Sequence, residues 1–133
     1  MSWPVKEKVM RAWVVLAGLN GVVAVGMGAY AAHGLGADPY LQSLGERASQ
    51  YQLLHALALL AADRLAVDGR RLAHGAAALF LAGLVLFCGS LYWRALTGGQ
   101  LPVPMVTPAG GVSFMAGWLV LAVSGAFAAR RRS

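Results

Sequence analysis

The chain has 133 residues, 59% of them hydrophobic and only 12% charged, about half the charged share of an ordinary soluble domain. An uncharged stretch from Ala12 to Ala37 exceeds the roughly 18 residues that mark a bilayer-spanning helix, which excludes a water-soluble globule. The formal net charge is +6, yet the basic residues gather at the ends of apolar stretches rather than along one aromatic-studded face, so nucleic acid is not the partner they point to.

Taken in order, the chain reads as a single all-α transmembrane domain over 1–133, an integral membrane four-helix bundle with spans at about 12–33, 44–67, 72–93 and 108–129. The first span follows Lys6, Lys8 and Arg11 and is expected to end at His33, with Gly34 as a left-handed cap. At 1.5 Å per residue it reaches about 33 Å, enough to cross the hydrocarbon. Its basic start and the Ala29-Tyr30-Ala31 triplet also fit a cleavable signal peptide, but the apolar region outruns a signal core of about 7–15 residues.

The second span has a charge-free window only from Ala48 to Ala62. Ser43 and Glu46 have capping-box spacing, so a helix is expected from Leu44 through Val67, with Arg47 and Arg64 snorkelling at its two interfaces. Before it, Asp38-Pro39 looks like the start of a short interfacial turn over Tyr40 to Leu44. The third span closes on Tyr92 and Trp93, rings typical of the membrane boundary, and Arg94 stops it. The fourth comes after a Gly98-Gly99 and Pro102 to Pro104 connector, with Thr107 as N-cap and Pro108 at the first helical position.

An even number of spans puts both termini on one side. Lys6, Lys8, Arg11, Arg64, Arg70, Arg71, Arg130, Arg131 and Arg132 then share that side, and Arg47 and Arg94 lie on the other. The positive-inside rule makes both termini cytoplasmic.

Small residues recur at spacings that bring backbones together in lipid. Gly21, Ala24, Gly28 and Ala32 share a face of span one, Gly75, Ala78 and Ala82 of span three, and Gly110, Ser113, Gly117, Ser124 and Ala128 of span four. Gly21, Gly28 and Gly117 are the packing positions singled out. These stripes fit packing within one bundle, with a homo-oligomer face or a membrane partner protein as the alternative. Cys88, the single cysteine, excludes an intrachain disulfide and reads as a small packed side chain.

Polar residues inside spans are costly and often functional. His33, Tyr51, Gln52, His55, Tyr92, Arg94 and Thr107 all fall toward the outward ends, and Tyr51, Gln52 and His55 are spaced to point into one interhelical space. A polar cluster beneath the outer surface is predicted, read first as a hydrogen-bonded network joining spans one, two and three. Two histidines fall short of the three or four ligands a zinc site needs, and no nucleophile motif or paired carboxylates appear, so neither a cofactor nor catalysis is expected. Thr107-Pro108-Ala109-Gly110-Gly111 leaves N–H groups free at a positive helix end, with Arg94 nearby, where a lipid phosphate fits; the leading reading is that the glycine pair serves only tight packing against span one. Asn20 and His74 stand alone as polar contacts.

Four blocks in this order, Gly28-Ala29-Tyr30-Ala31-Ala32-His33-Gly34-Leu35, Tyr51-Gln52-Leu53-Leu54-His55, Phe87-Cys88-Gly89-Ser90-Leu91-Tyr92 and Thr107-Pro108-Ala109-Gly110-Gly111, resemble the small multi-pass YgdD-like proteins. These form domain-of-unknown-function family 423, with mitochondrial transmembrane relatives in eukaryotes. Tyr30 stands where that family usually has Phe, and Ala31 where it usually has Gly. The resemblance implies four spans and an inner-membrane location and brings no reaction. The expected role is an accessory or structural protein that binds a lipid headgroup or partner protein through the outward polar cluster. The rivals are an oligomeric small-solute transporter and, third, a metal- or haem-binding enzyme.

Overall fold

Residues 10–34, 38–99, 101–103 and 105–127 are described by the structure, a computed structural model. Within them the fold is all-α: α1 spans Ala12–His33, α2 Pro39–Val67, α3 Leu72–Thr97 and α4 Val106–Ala126. A π-helical turn at Leu84–Cys88 interrupts α3. α1, α3 and α4 are long and apolar enough to cross a membrane. α2 carries Glu46, Arg47, Asp63 and Arg64 and is less apolar, although its 29 residues extend about 43 Å.

Local chemistry explains where the ends differ from expectation. α2 begins at Pro39, not Leu44, because the Asp38 carboxylate accepts from the Tyr40 and Leu41 amides at 2.9 and 3.4 Å and Pro39 supplies a preset φ. The expected interfacial turn is therefore the start of the helix, and Ser43, no longer a cap, donates to the Tyr40 carbonyl at 2.7 Å. Gly34 is not left-handed, with φ −111°. α3 continues past Arg94 to Thr97, where Gly98 at φ +73° ends it. α4 starts at Val106 after Met105 at φ +68°, so Thr107 lies inside the helix and leaves the capping role. The predicted last residues of that span, 128–129, lie outside the described residues, as does the packing expected of Ala128.

The α2–α3 turn closes in a Schellman motif. Gly69 holds φ +92°, its amide bonds to Ala66, and the Arg70 amide bonds to Leu65. Ties across the bundle fix the direction of the helices. Arg11 pairs with Asp63, the Trp13 indole donates to His74 at 3.0 Å, and Arg70 donates to the Phe127 carbonyl at 3.3 Å. Met10 and Phe127 therefore lie at the same, basic end.

α2 and α3 form the centre, α1 packs on α2, and α4 packs on α3. α1 buries only Ala17, Ala24 and Ala31, one small residue every seven positions. Leu59, Phe80 and Cys88 are the largest fully buried side chains, while Val22, Val25, Val85 and Leu119 point outward, as apolar side chains facing lipid do. Before the π turn α3 lies along α4; beyond it, the rod packs chiefly on α2. An extra residue in one helical turn re-aims every side chain beyond it.

Glycine marks the closest approaches. A Cβ at Gly117 would meet the Phe80 ring at 2.7 Å, and one at Gly83 would meet the Phe114 ring, so each helix of the α3–α4 pair receives an aromatic ring of the other. At Gly110 a Cβ would lie 2.8 Å from the Phe87 Cα. Gly28 approaches Ser49, whose Oγ would lie 2.5 Å from an added Cβ. Gly21, expected in the same stripe, has nothing within 4 Å of such a Cβ and does not pack. Ala78 and Ala82 are likewise exposed: α3 turns Ala73, Ala76, Ala77, Phe80 and Gly83 inward instead.

Candidate functional site

The predicted polar cluster divides into three places. Gln52 is buried and faces α1 and α3, where it accepts from the Tyr92 hydroxyl at 2.7 Å and donates to the Asn20 side chain at 3.0 Å. Asn20 in turn donates to the Leu16 carbonyl at 2.8 Å. Asn20, read as solitary, is thus the α1 member of a three-helix relay beside a recess of about 230 Å³ that the π turn borders.

His55 turns the other way, toward α4. Trp118 Nε1 donates to His55 Nε2 at 3.1 Å, and an indole N–H can only donate. The proton of the neutral ring therefore sits on Nδ1 and is donated to the Tyr51 carbonyl at 2.7 Å. The imidazole stacks on Phe114 with centroids 3.6 Å apart, and Tyr51 and Phe87 extend the aromatic cluster. Tyr51, Gln52 and His55 do not share one interhelical space. At 100° per residue, Gln52 lies about 100° around the helix from Tyr51, so the two address different neighbours. Because α2 starts at Pro39, these residues also lie midway along it rather than in its first turns.

The third place is the end opposite the basic one. Arg94 stands with its guanidinium carbon 5.3 Å from the Tyr40 ring centroid, a cation–π contact. Ser90 and Thr107 oppose each other across α3 and α4, hydroxyl to hydroxyl at 2.5 Å. Ser90, Arg94, Thr107 and Pro108 line a recess of about 190 Å³ together with Leu101, Val103, Met105 and Val106. Arg94 makes no ion pair with a carboxylate among the described residues. Gly110 and Gly111 do not open toward this recess as a pair. Gly110 is buried against the Phe87 backbone of α3, not against α1, and Gly111 borders the apolar groove beside Tyr51 and Trp118.

His33 closes α1, exposed, and is not brought to His55, which is buried between α2 and α4. Sequence reasoning passed over Asp63, which falls inside the expected second span. It is buried within α2 and paired with Arg11. The signal was present: an acid one turn inside an apolar helix end, where it calls for a cation across the interface. His74, also read as solitary, accepts from Trp13.

Comparison with known proteins adds a lineage. Residues 27–111 match the family model described as a protein of unknown function, DUF423. A UPF0382 membrane protein of Staphylococcus epidermidis is 40% identical over 118 residues, covering 86% of this chain and 95% of the relative. The UPF0382 membrane protein YwdK of Bacillus subtilis is 38% identical over 122 residues, covering 86% and 96%. One from Haemophilus influenzae is 35% identical over 112 residues, covering 83% and 90%. No solved structure matches the chain.

Proposed function

The chain belongs to the DUF423 family of small multi-pass membrane proteins, and on that premise we propose that it is a four-span accessory protein of the bacterial cytoplasmic membrane that holds a lipid phosphate at its outward face. In this reading α2 crosses alongside the three apolar helices, its charges lying toward its two ends, and the basic end carrying Arg11, Arg64, Arg70 and Arg71 faces the cytoplasm. The observation that carries the lipid site is Arg94: a cation beside the start of α4, lining a recess with two hydroxyls and paired with no carboxylate among the described residues. A phosphate there would meet charge from Arg94 and the positive end of the helix macrodipole. The protein then works by binding lipid, without chemistry of its own.

A small-solute transporter is the second reading. It is favoured by the Asn20–Gln52–Tyr92 relay beside the recess at the π turn, a polar path within the span of the kind transporters need. One experiment separates the two. Native mass spectrometry of protein extracted in mild detergent should show fewer phosphatidylglycerol molecules retained by Arg94→Ala than by the wild type, with Gln52→Leu matching the wild type. Retention unchanged by Arg94→Ala removes the lipid reading. In the same preparation of cells, a cysteine at position 100 should react with an impermeant reagent from outside and one at position 133 only after permeabilisation.

A further inference from the structure

At the basic end, a recess of about 300 Å³ lies between the α2–α3 turn and the end of α4, lined by Gly69, Arg70, Arg71, Leu72, Ser124 and Phe127. Ser124 is 3% exposed, and its hydroxyl has no hydrogen-bond partner among the described residues. Such a group is costly in a helix interior unless something satisfies it. The same recess contains the start of α3. The Ala73 and His74 amides bond back to Arg70 and Arg71, which leaves the amides of Arg71 and Leu72 without a backbone acceptor among the described residues, at the positive end of a 26-residue helix.

The cations are held in place by the turn. Gly69 at φ +92° sends the chain sharply from α2 into α3, and Arg70 is anchored on the Phe127 carbonyl. Arg71 makes no ion pair among the described residues, and the nearest acid in sequence, Asp68, already faces Arg64 at 3.7 Å. Arg130, Arg131 and Arg132 come within five positions of Phe127 in the sequence, adding charge of the same sign.

We propose that this recess binds a phosphate oxyanion, with the Arg71 guanidinium, the first free amides of α3 and the Ser124 hydroxyl as its donors. The phosphate is that of an anionic phospholipid headgroup in the inner leaflet or of a free phosphate from the cytoplasm. The chemistry is the same for both: two or three oxygens that accept from a guanidinium, a helix start and one hydroxyl. The site is separate from the recess at Arg94, which lies at the far ends of α3 and α4.

The test uses the full chain in phosphatidylcholine nanodiscs, titrated in one arm with short-chain phosphatidylglycerol and in the other with inorganic phosphate, reading phosphorus NMR line width and thermal unfolding. Saturable binding and a ligand-dependent rise in Tm are expected in one arm, and the arm that responds identifies the source. Ser124→Ala should weaken binding about ten-fold while leaving the ligand-free Tm equal or higher, because it removes a hydroxyl with no partner. Arg71→Gln should weaken it at least as much and Arg71→Lys less, and the same losses are expected in an Arg94→Ala background, so failure here is distinguishable from failure of the outward site. The proposal is overturned if neither probe saturates, or if Ser124→Ala binds as the wild type does. A lower ligand-free Tm for Ser124→Ala would overturn it as well, since the hydroxyl would then be bonded within its own helix.

Discussion

Along the α3–α4 seam, glycines receive aromatic rings: Gly117 takes Phe80, Gly83 takes Phe114, and Gly110 lies on the Phe87 backbone. Along the α1–α2 seam, alanines meet and polar side chains do the joining. Ser49 donates to the Ala24 carbonyl at 2.6 Å, Gln52 reaches Asn20, Gln42 reaches the Ala32 carbonyl, and Arg11 meets Asp63. In lipid, where apolar surface gains little by leaving one apolar medium for another, helices associate through close packing and hydrogen bonds. Close packing leads on the α4 side of the α2–α3 centre, where Ser113 also donates to the Leu79 carbonyl and Ser90 meets Thr107, and hydrogen bonds lead on the α1 side. The first should be intolerant of added volume, and the second of lost partners.

The largest effect is expected at Gly110. A methyl there meets the Phe87 main chain, which cannot rotate away as a side chain can. Gly110→Ala should therefore cost about 3 kcal/mol, the upper part of the overpacking range, read by equilibrium unfolding in mixed micelles. A loss well under half of that would mean that the two helices are free to shift apart and that the seam is looser than the glycine contacts require.

The polar seam should break asymmetrically. Asp63 is buried, with its side chain 5% exposed, whereas the Arg11 side chain is 49% exposed. Removing the arginine strands a buried carboxylate; removing the carboxylate's charge leaves a guanidinium that still reaches water or headgroups. Arg11→Ala is expected to cost about 2 kcal/mol, below the usual figure for a fully buried pair because one partner is half exposed, and Asp63→Asn about 1 kcal/mol. Equal losses, or the reverse order, would show that the pair contributes through packing rather than through the burial of its acid.

How much of this was legible in the sequence depended on the signal each feature leaves there. Apolar length announced α1, α3 and α4, and turn chemistry marked Asp38-Pro39, although Asp38 proved the cap that begins α2 rather than a separate turn; Gly98 was read as part of a connector, with Arg94 expected to stop α3. Gly28, Gly110 and Gly117 were found because small-residue spacing has a direct steric meaning. Their aromatic counterparts were not, since Phe80 and Phe114 look like any other apolar residue until the facing helix is known. The π turn carries no proline, and its residues, Leu84–Cys88, read as ordinary span. The polar cluster was legible in part: Gln52 and Tyr92 do join spans one, two and three, through Asn20. Its single space was not, because three neighbouring residues of a central helix were assigned to one side when that helix has neighbours on both. Asp63 was lost because its partner, Arg11, stands 52 positions away in sequence on another helix.

The smallest effect tests the same seam from its quiet side. Gly21 and Gly28 are seven residues apart on α1, and the spacing makes them equivalent, but the structure does not. Nothing lies within 4 Å of a Cβ at Gly21, while one at Gly28 displaces the Ser49 hydroxyl that holds the Ala24 carbonyl. Gly21→Ala should therefore gain up to about 0.5–1 kcal/mol from helix propensity alone. Gly28→Ala should surrender that gain to the loss of an interhelical hydrogen bond, about 0.6–1.7 kcal/mol in a membrane protein. Measured side by side, the two substitutions are expected to differ by about the worth of that hydrogen bond, with Gly21→Ala the more stable. If both stabilise equally, Ser49 adds nothing to the seam, and α1 is held chiefly by its basic end.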